Sequence, residues 1–430
     1  MSSSLKIGIA GLGTVGASAA RVLQEQEELL SDRAGRRLEL SAVSARDRNR
    51  DRGVNLDGVR WFYDPVDMAR SGDLDVIVEL VGGSDGIARA VSETALQSGK
   101  HLVTANKALL AVHGNSLARL AEASGAGLGY EAAVAGAIPI IDVLQEGLSA
   151  NPFRAIYGIL NGTCNYILSR MRSDGLEFSD VVSDAQRLGY AEADPSVDVD
   201  GTDTAHKLAL LTALGFGCHV DFSGVYVEGI RNVTQLDIRF AEELGFRIKL
   251  LGITRRDGDE VEQRVHPCLV PISAAIANVD GATNAVVAEG AYSGSIVLEG
   301  AGAGGAPTAS AVVSDLVRLA RNAARPVFGS PSERLETLKP RDMTRHRGDY
   351  YIRLMVLDRP GVIADVAAIL RDEDVSMRSM LQHGRAPGEK VPIVLTTHET
   401  IEANMMRALH RIDGLDPVLE PSRMIRIEAL

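Results

Sequence analysis

Short apolar runs alternate with segments of helical period over the first 140 residues. Lys6–Ala10 (KIGIA), Leu38–Val43, Asp75–Leu80 (DVIVEL) and His101–Thr104 read as strands. The nearly continuous β-branched run at 75–80 is the pattern of a strand buried on both faces. Helices are expected from a glycine-rich loop at 11–16 to about Leu30, over Asp85–Ser98, and as one or two pieces over Asn106–Ser124. Such alternation predicts a doubly wound parallel sheet with helices on both faces.

The pattern changes near residue 140. Pro139–Leu148 reads as a helix opened by its proline and Phe153–Leu160 as a strand. Helices follow, then β-rich sequence from about Phe246 to Val297, so an α+β substrate or dimerisation domain is expected over 140–305. Helical spacing returns in ASAVVSDLVRLARNA (309–323), and a helix at about 306–328 is expected to complete the first domain, residues 1–139. Residues 329–348 are polar, carry Pro331 and Pro340, and read as a linker. Within 349–430 the order is strand (350–358), helix (360–374), two strands (375–382, 391–397), helix (401–412) and strand (422–430). This is the βαββαβ order of a ferredoxin-like unit.

Composition narrows the function classes. The net charge of −12 disfavours nucleic acid as a partner, and 4% aromatic residues leave little for base stacking. No uninterrupted apolar run of about 18 residues and no signal core are seen, so neither a membrane span nor export is expected. Cys164, Cys218 and Cys268 are far apart, which fits a reducing cytoplasm.

Candidate chemistry begins at Gly11-Leu12-Gly13-Thr14-Val15-Gly16, which follows a strand and opens a helix. In that context the glycines permit a tight turn, close approach of a pyrophosphate and tight helix packing, the fingerprint of a Rossmann-like dinucleotide site. The second strand runs into Ser44-Ala45-Arg46-Asp47, so arginine arrives before any acid. Arg46 would suit the 2′-phosphate of NADP, although a solvated loop and NAD remain open. Thr104 and Lys107 lie just past a strand's C-terminal end, where ligands of open parallel sheets sit. The densest polar stretch holds Glu192, Asp194, Asp198, Asp200, Asp203 and Lys207. Asp203 and Lys207, four apart, share one helix face. Carboxylates there could hold a substrate ammonium and the lysine could move a proton; a solvated acidic loop and a surface ion pair are the plain alternatives. Gly300–Gly305 is a second glycine loop without the lysine of a P-loop. Cys164 could serve as a thioester-forming nucleophile or be a buried small hydrophobe.

Taken together, GIAGLGTVG (8–16), VTANKALL (103–110), YEAAVAGAIPII (130–141), GILNGTCNYIL (158–168), GYAEADPSVDVDGTDTAHKLALL (189–211) and GAGAGGAPTASAVVSDL (300–316) resemble homoserine dehydrogenase over almost the whole chain. Asp358-Arg359-Pro360-Gly361-Val362 looks like the first strand–helix turn of an ACT regulatory domain. The resemblance implies NADP- or NAD-dependent interconversion of L-homoserine and L-aspartate 4-semialdehyde in threonine, methionine and isoleucine biosynthesis. It implies proton transfer by Lys207 with Lys107 polarising, Asp203 orienting, and Glu192 and Asp198 on the substrate. Gly11, Gly13, Thr14, Val15, Gly16, Arg46, Thr104, Lys107, Gly302 and Gly305 would line the cofactor. A monovalent cation, sodium, would sit at Glu131, Val134, Gly136 and Ile138, held largely by backbone carbonyls. A cytoplasmic homodimer or homotetramer with L-threonine as effector is expected. Two other readings stay open: an aspartate-semialdehyde dehydrogenase-like enzyme using Cys164, and a catalytically dead amino-acid sensor.

Overall fold

The structure, a computed structural model, describes residues 4–188, 194–321, 325–383 and 388–430. Its N-terminal part is a six-stranded parallel sheet in the spatial order Arg60–Phe62, Leu38–Ser44, Leu5–Ala10, Val76–Glu79, His101–Thr104, Leu128–Gly129. Strand order reverses beside Leu5–Ala10, which opens a crevice at the strands' C-terminal edge. The turn leaving that strand is closed to side chains: Gly11 takes φ +98°, and a Cβ there would stand 2.5 Å from Leu80 O.

The expected first helix is two. Thr14–Glu25 ends where Gln26 leaves helical geometry (φ −113°, ψ 23°), and Glu27–Ala34 resumes. Over 139–148 the chain makes a short α turn, Ile140–Asp142, and then a wide π turn, Val143–Gly147. The helix expected at about 306–328 runs only over Gly305–Ala320. Pro326 disfavours helical geometry at Arg325, and Val327 and Phe328 instead pack beside Tyr130, whose hydroxyl donates to Val327 O at 2.9 Å. Val312, Leu316 and Leu319 of this helix share a core with Leu5, Ile7, Ile9 and Val103 of the first sheet.

A second sheet runs in the order Gly294–Ala301, Thr283–Gly290, Phe153–Ile159, Phe246–Asp257, Glu260–Pro271, Arg423–Ile427, Arg347–Leu357, Lys390–Thr397, Met377–Leu381. The C-terminal βαββαβ unit is therefore not detached. Its last strand pairs antiparallel with Arg347–Leu357 and parallel with Glu260–Pro271, joining two sheets into one. Residues 329–348 are likewise bonded in place: Lys339–Pro340 pairs with Glu260–Val261, the Ser332 N–H donates to the Glu122 carboxylate, and Arg341 binds Glu260 and Asp257. Among the described residues no helix is long and apolar enough to cross a membrane.

Charged side chains are buried along the seam between the joined sheets. Arg264, fully buried, donates to Glu262 and Glu428; Arg426 donates to Glu402 and, at 3.0 Å, to Glu228. His266, Cys268 and Glu428 bring metal-ligand atoms within 4.8 Å of one another, but the Arg264 guanidinium already binds His266 and Glu428. A guanidinium there takes the place of a metal cation.

Candidate active site

The glycine loop presents the start of Thr14–Glu25, a helix whose Gly13 N-cap provides no side-chain cap. Its first N–H groups are left to a ligand, and the helix dipole favours an anion there. Open space lies beside Gly13 where a Cβ would stand, while Gly16 packs on Gly11. This cradle fits a dinucleotide pyrophosphate. At the edge of the crevice, buried Glu79 accepts the N–H groups of Val81 and Gly82 and the hydroxyl of Thr104 (2.7 Å), which fixes the ends of two strands. Asn106 caps the next helix and ties it to Gly83 O.

Lys107 is the first residue of that helix, Lys107–Ser124. Asp203 and Lys207 stand one turn apart on Thr202–Phe216. Fold brings the three together: Lys107 Nζ lies 3.0 Å from Asp203 Oδ1, and Lys207 Nζ 2.8 Å from Asp203 Oδ2. Lys207 also donates to Leu160 O at 2.6 Å. Lys207 and Asp203 are buried, whereas the Lys107 side chain is 37% exposed. Burial alone would raise the Asp203 carboxyl, but the Lys207 and Lys107 ammonium groups hold it well below the usual carboxylate range. Burial pulls Lys207 down from the ordinary lysine range, and Lys107 adds to this by repulsion.

The acidic stretch divides. Asp198 joins the site through Asn161, whose amide donates to Asp198 Oδ1 (2.7 Å) and Asp203 Oδ2 (2.9 Å). Burial raises the Asp198 carboxyl. Asp194 accepts from Ser196 in a local turn, and Asp200 pairs with exposed Arg231, so both serve the surface. Glu192 lies outside the described residues. Asn161, which sequence reasoning passed over, holds both carboxylates and caps Gly162–Asp174 through Cys164 N. Its place in GILNGTCNYIL beside the cysteine was the only local signal.

Cys164 is fully buried, and its thiol donates to Asp198 O at 3.2 Å; burial pushes it well above the usual thiol range. That is the setting of an inert thiol rather than a nucleophile. The His206 ring packs against Phe222.

The second glycine loop reaches the first: a Cβ on Gly305 would lie 2.9 Å from Thr14 Cγ2 and Ser18 Oγ, and one on Gly302 would strike Asn284. Arg46 is exposed in the loop after the second strand. Arg52 of that loop, not Arg46, is tied to the glycine turn, donating to Leu12 O at 3.1 Å with its guanidinium over Trp61. In the turn 131–138, the Glu131 carboxylate accepts the N–H groups of Ile141 and Asp142. Gly136 (φ +59°) packs on Gly302, while Val134 and Ile138 are buried beside it.

Family models match three segments: homoserine dehydrogenase over 139–317, homoserine dehydrogenase NAD-binding domain over 11–131, and ACT domain over 350–414. A homoserine dehydrogenase of Neisseria gonorrhoeae is 44% identical over 434 residues, covering 99% of each chain. The crystal structure of a homoserine dehydrogenase from Thiobacillus denitrificans has TM-score 0.94 and 44% identity, covering 99% of this chain and 98% of that one. A hyperthermophilic archaeal homoserine dehydrogenase in complex with NADPH has TM-score 0.63 and 25% identity, covering 74% of this chain and 97% of that one.

Proposed function

The chain belongs to the homoserine dehydrogenase family, with an NAD-binding domain and a C-terminal ACT domain, and from this we propose a mechanism in which Lys207 moves the proton and Lys107 polarises the substrate oxygen. The observation that carries it is the Lys107–Asp203–Lys207 cluster at the edge of the dinucleotide crevice. Two ammonium groups share one carboxylate, so positive charge is left over where the oxyanion of a reduced aldehyde develops. The bound nicotinamide supplies the hydride. Asp203, gripped by Asn161, keeps both lysines in register. Lys207, with its pKa pulled down by burial, gives its proton to the new alkoxide of L-homoserine and takes one back in oxidation. Asp198, together with Glu192, binds the substrate ammonium.

The finer assignments belong to the same reading. NADP is the preferred dinucleotide, because no acid ends the second strand and Arg46 is exposed beside it. Support comes from the NADPH named for the archaeal relative. Gly11, Gly13, Thr14, Val15, Gly16, Thr104, Gly302 and Gly305 line it. Main-chain oxygens of Glu131, Val134, Gly136 and Ile138 hold a sodium ion; the turn is fixed from behind by buried Asp315, which accepts Glu131 N–H at 2.9 Å. Residues 1–139 with Gly305–Ala320 bind the dinucleotide, 140–305 bind substrate, and 349–430 bind the effector L-threonine. The enzyme works in the cytoplasm, where its free cysteines stay reduced. It does so as a homo-oligomer, since the open-edged strand Gly294–Ala301 and the exposed Met377 and Met380 offer pairing surfaces. One assay tests the reading: dinucleotide absorbance is followed with aspartate semialdehyde, comparing NADPH with NADH, with and without sodium and L-threonine. Faster turnover with NADPH and inhibition by threonine are expected; no oxidation of either dinucleotide overturns the mechanism.

A further inference from the structure

Asn284 is the second residue of the strand Thr283–Gly290 and is 1% exposed. Among the described residues neither its amide nitrogen nor its amide oxygen has a hydrogen-bond partner, although both are shut off from solvent. Buried amides are ordinarily satisfied, so one that is not calls for a partner in another state of the molecule. Its surroundings indicate which. A Cβ built on Gly302 would lie 2.0 Å from Asn284 Nδ2 and 2.1 Å from Cγ, so the cofactor-side glycine loop rests directly on the amide. A Cβ built on Gly162 would lie 3.4 Å from Asn284 Oδ1. Gly162 follows Asn161, the residue that grips Asp203. At the other end of the same loop Gly305 packs on Thr14 and Ser18, at the start of the helix that faces the pyrophosphate. Contacts therefore run from the dinucleotide cradle through the glycine loop and Asn284 to the helix start that steadies the catalytic carboxylate.

We propose that Asn284 is a positioning residue whose carboxamide takes its hydrogen bonds from the Gly302 loop when the dinucleotide is bound, coupling cofactor binding to the Asn161–Asp203 side of the site. This rests on the reading that the Gly302–Gly305 loop covers the dinucleotide. If the amide makes its hydrogen bonds only with dinucleotide bound, a hydrocarbon of similar size should be tolerated in the free enzyme. In the bound enzyme the loop then loses its anchor.

The test uses the full-length enzyme and Asn284→Leu, with Asn284→Ala as a second variant should leucine not fit. Thermal unfolding is measured with and without saturating NADPH, together with KM for NADPH and kcat. For Asn284→Leu the free enzyme should melt no lower than the native one, the NADPH-induced shift should fall by about half or more, and KM for NADPH should rise about tenfold, the size of one hydrogen bond made only in the complex. For Asn284→Ala, whose cavity lowers the free melting temperature, the same loss of the NADPH-induced shift is expected. An undiminished NADPH-induced shift in whichever variant folds overturns the proposal, as does an Asn284→Leu enzyme that melts lower when free, since the amide then serves the free fold alone. A native enzyme showing no NADPH-induced shift fails the underlying reading of the loop instead, which keeps the two outcomes apart.

Discussion

Two of the buried ionic clusters among the described residues are built in opposite proportions. At the candidate active site one carboxylate, Asp203, is shared by two ammonium groups, one of them partly open to the crevice. At the seam between the joined sheets each guanidinium is shared by carboxylates: Arg264 by Glu262 and Glu428, Arg426 by Glu402 and Glu228. Excess positive charge on groups that can lose a proton makes an acid and an oxyanion stabiliser. Guanidinium groups that keep their protons, held between carboxylates, make a fixed joint. The contrast separates chemistry from architecture: residue type and charge ratio, rather than burial, distinguish the two clusters.

Breaking the first cluster should produce the largest effect. Lys207→Ala is expected to lower kcat for aldehyde reduction by about 10³-fold, the scale of a lost general acid, with circular dichroism unchanged. Arg264→Leu should break the comparison from the other side. It leaves Glu262 and Glu428 buried without their guanidinium, and a loss of about 3–5 kcal/mol in denaturant unfolding is expected, with kcat of the folded fraction retained. Equal kcat losses in both variants would mean that the seam takes part in turnover.

The two clusters should also respond at opposite ends of the pH scale. In the proposed mechanism, reduction needs Lys207 protonated. Because burial lowers its pKa, the reduction rate should fall with rising pH earlier than an ordinary lysine would dictate, and oxidation should rise over the same range. In the seam, burial opposes the charge of Glu262, but bonds from His346 and Arg264 hold its pKa at about 2, against an ordinary 4.5. A lowered folded-state pKa stabilises the fold above the unfolded value, so this contribution is complete above 4.5 and is lost as pH falls toward 2. Rate profiles and acid-unfolding curves check the two halves separately.

Much of this was legible beforehand where the signal is local. Short, nearly continuous apolar runs alternating with segments of period 3.6 point to the parallel sheet, and the glycine loop lies between a strand and a helix as its chemistry requires. Asp203 and Lys207 were readable as a pair because one helical turn separates them. Asn161 was not, because its contact with Asp203 crosses the fold and leaves no spacing in the sequence. The burial of Arg426 and Glu428 leaves no local signal either, since their partners are Glu402 and, on the neighbouring strand, Arg264. The polar run 329–348 resembled a linker because composition cannot tell side chains in water from side chains bonded to a sheet edge. Helical spacing in 309–323 points past the end of Gly305–Ala320, because a period carries no account of Pro326.

The smallest expected effect concerns Cys164, which sits within reach of the first cluster without belonging to it. Were the enzyme an acylating dehydrogenase, this thiol would carry the acyl group and Cys164→Ser would abolish turnover. Its surroundings argue otherwise: the sulfur is buried, donates to Asp198 O, and faces the negative charges of Asp198 and Asp203, all of which oppose thiolate formation. Serine can make the same hydrogen bond from nearly the same place. The substitution should therefore leave kcat within about threefold and reduce unfolding free energy by about 1 kcal/mol, an ordinary value for a buried change that keeps its partner. Steady-state rates without added phosphate settle the matter, because a thioester route would need phosphate or another acyl acceptor while a lysine-assisted hydride transfer needs none.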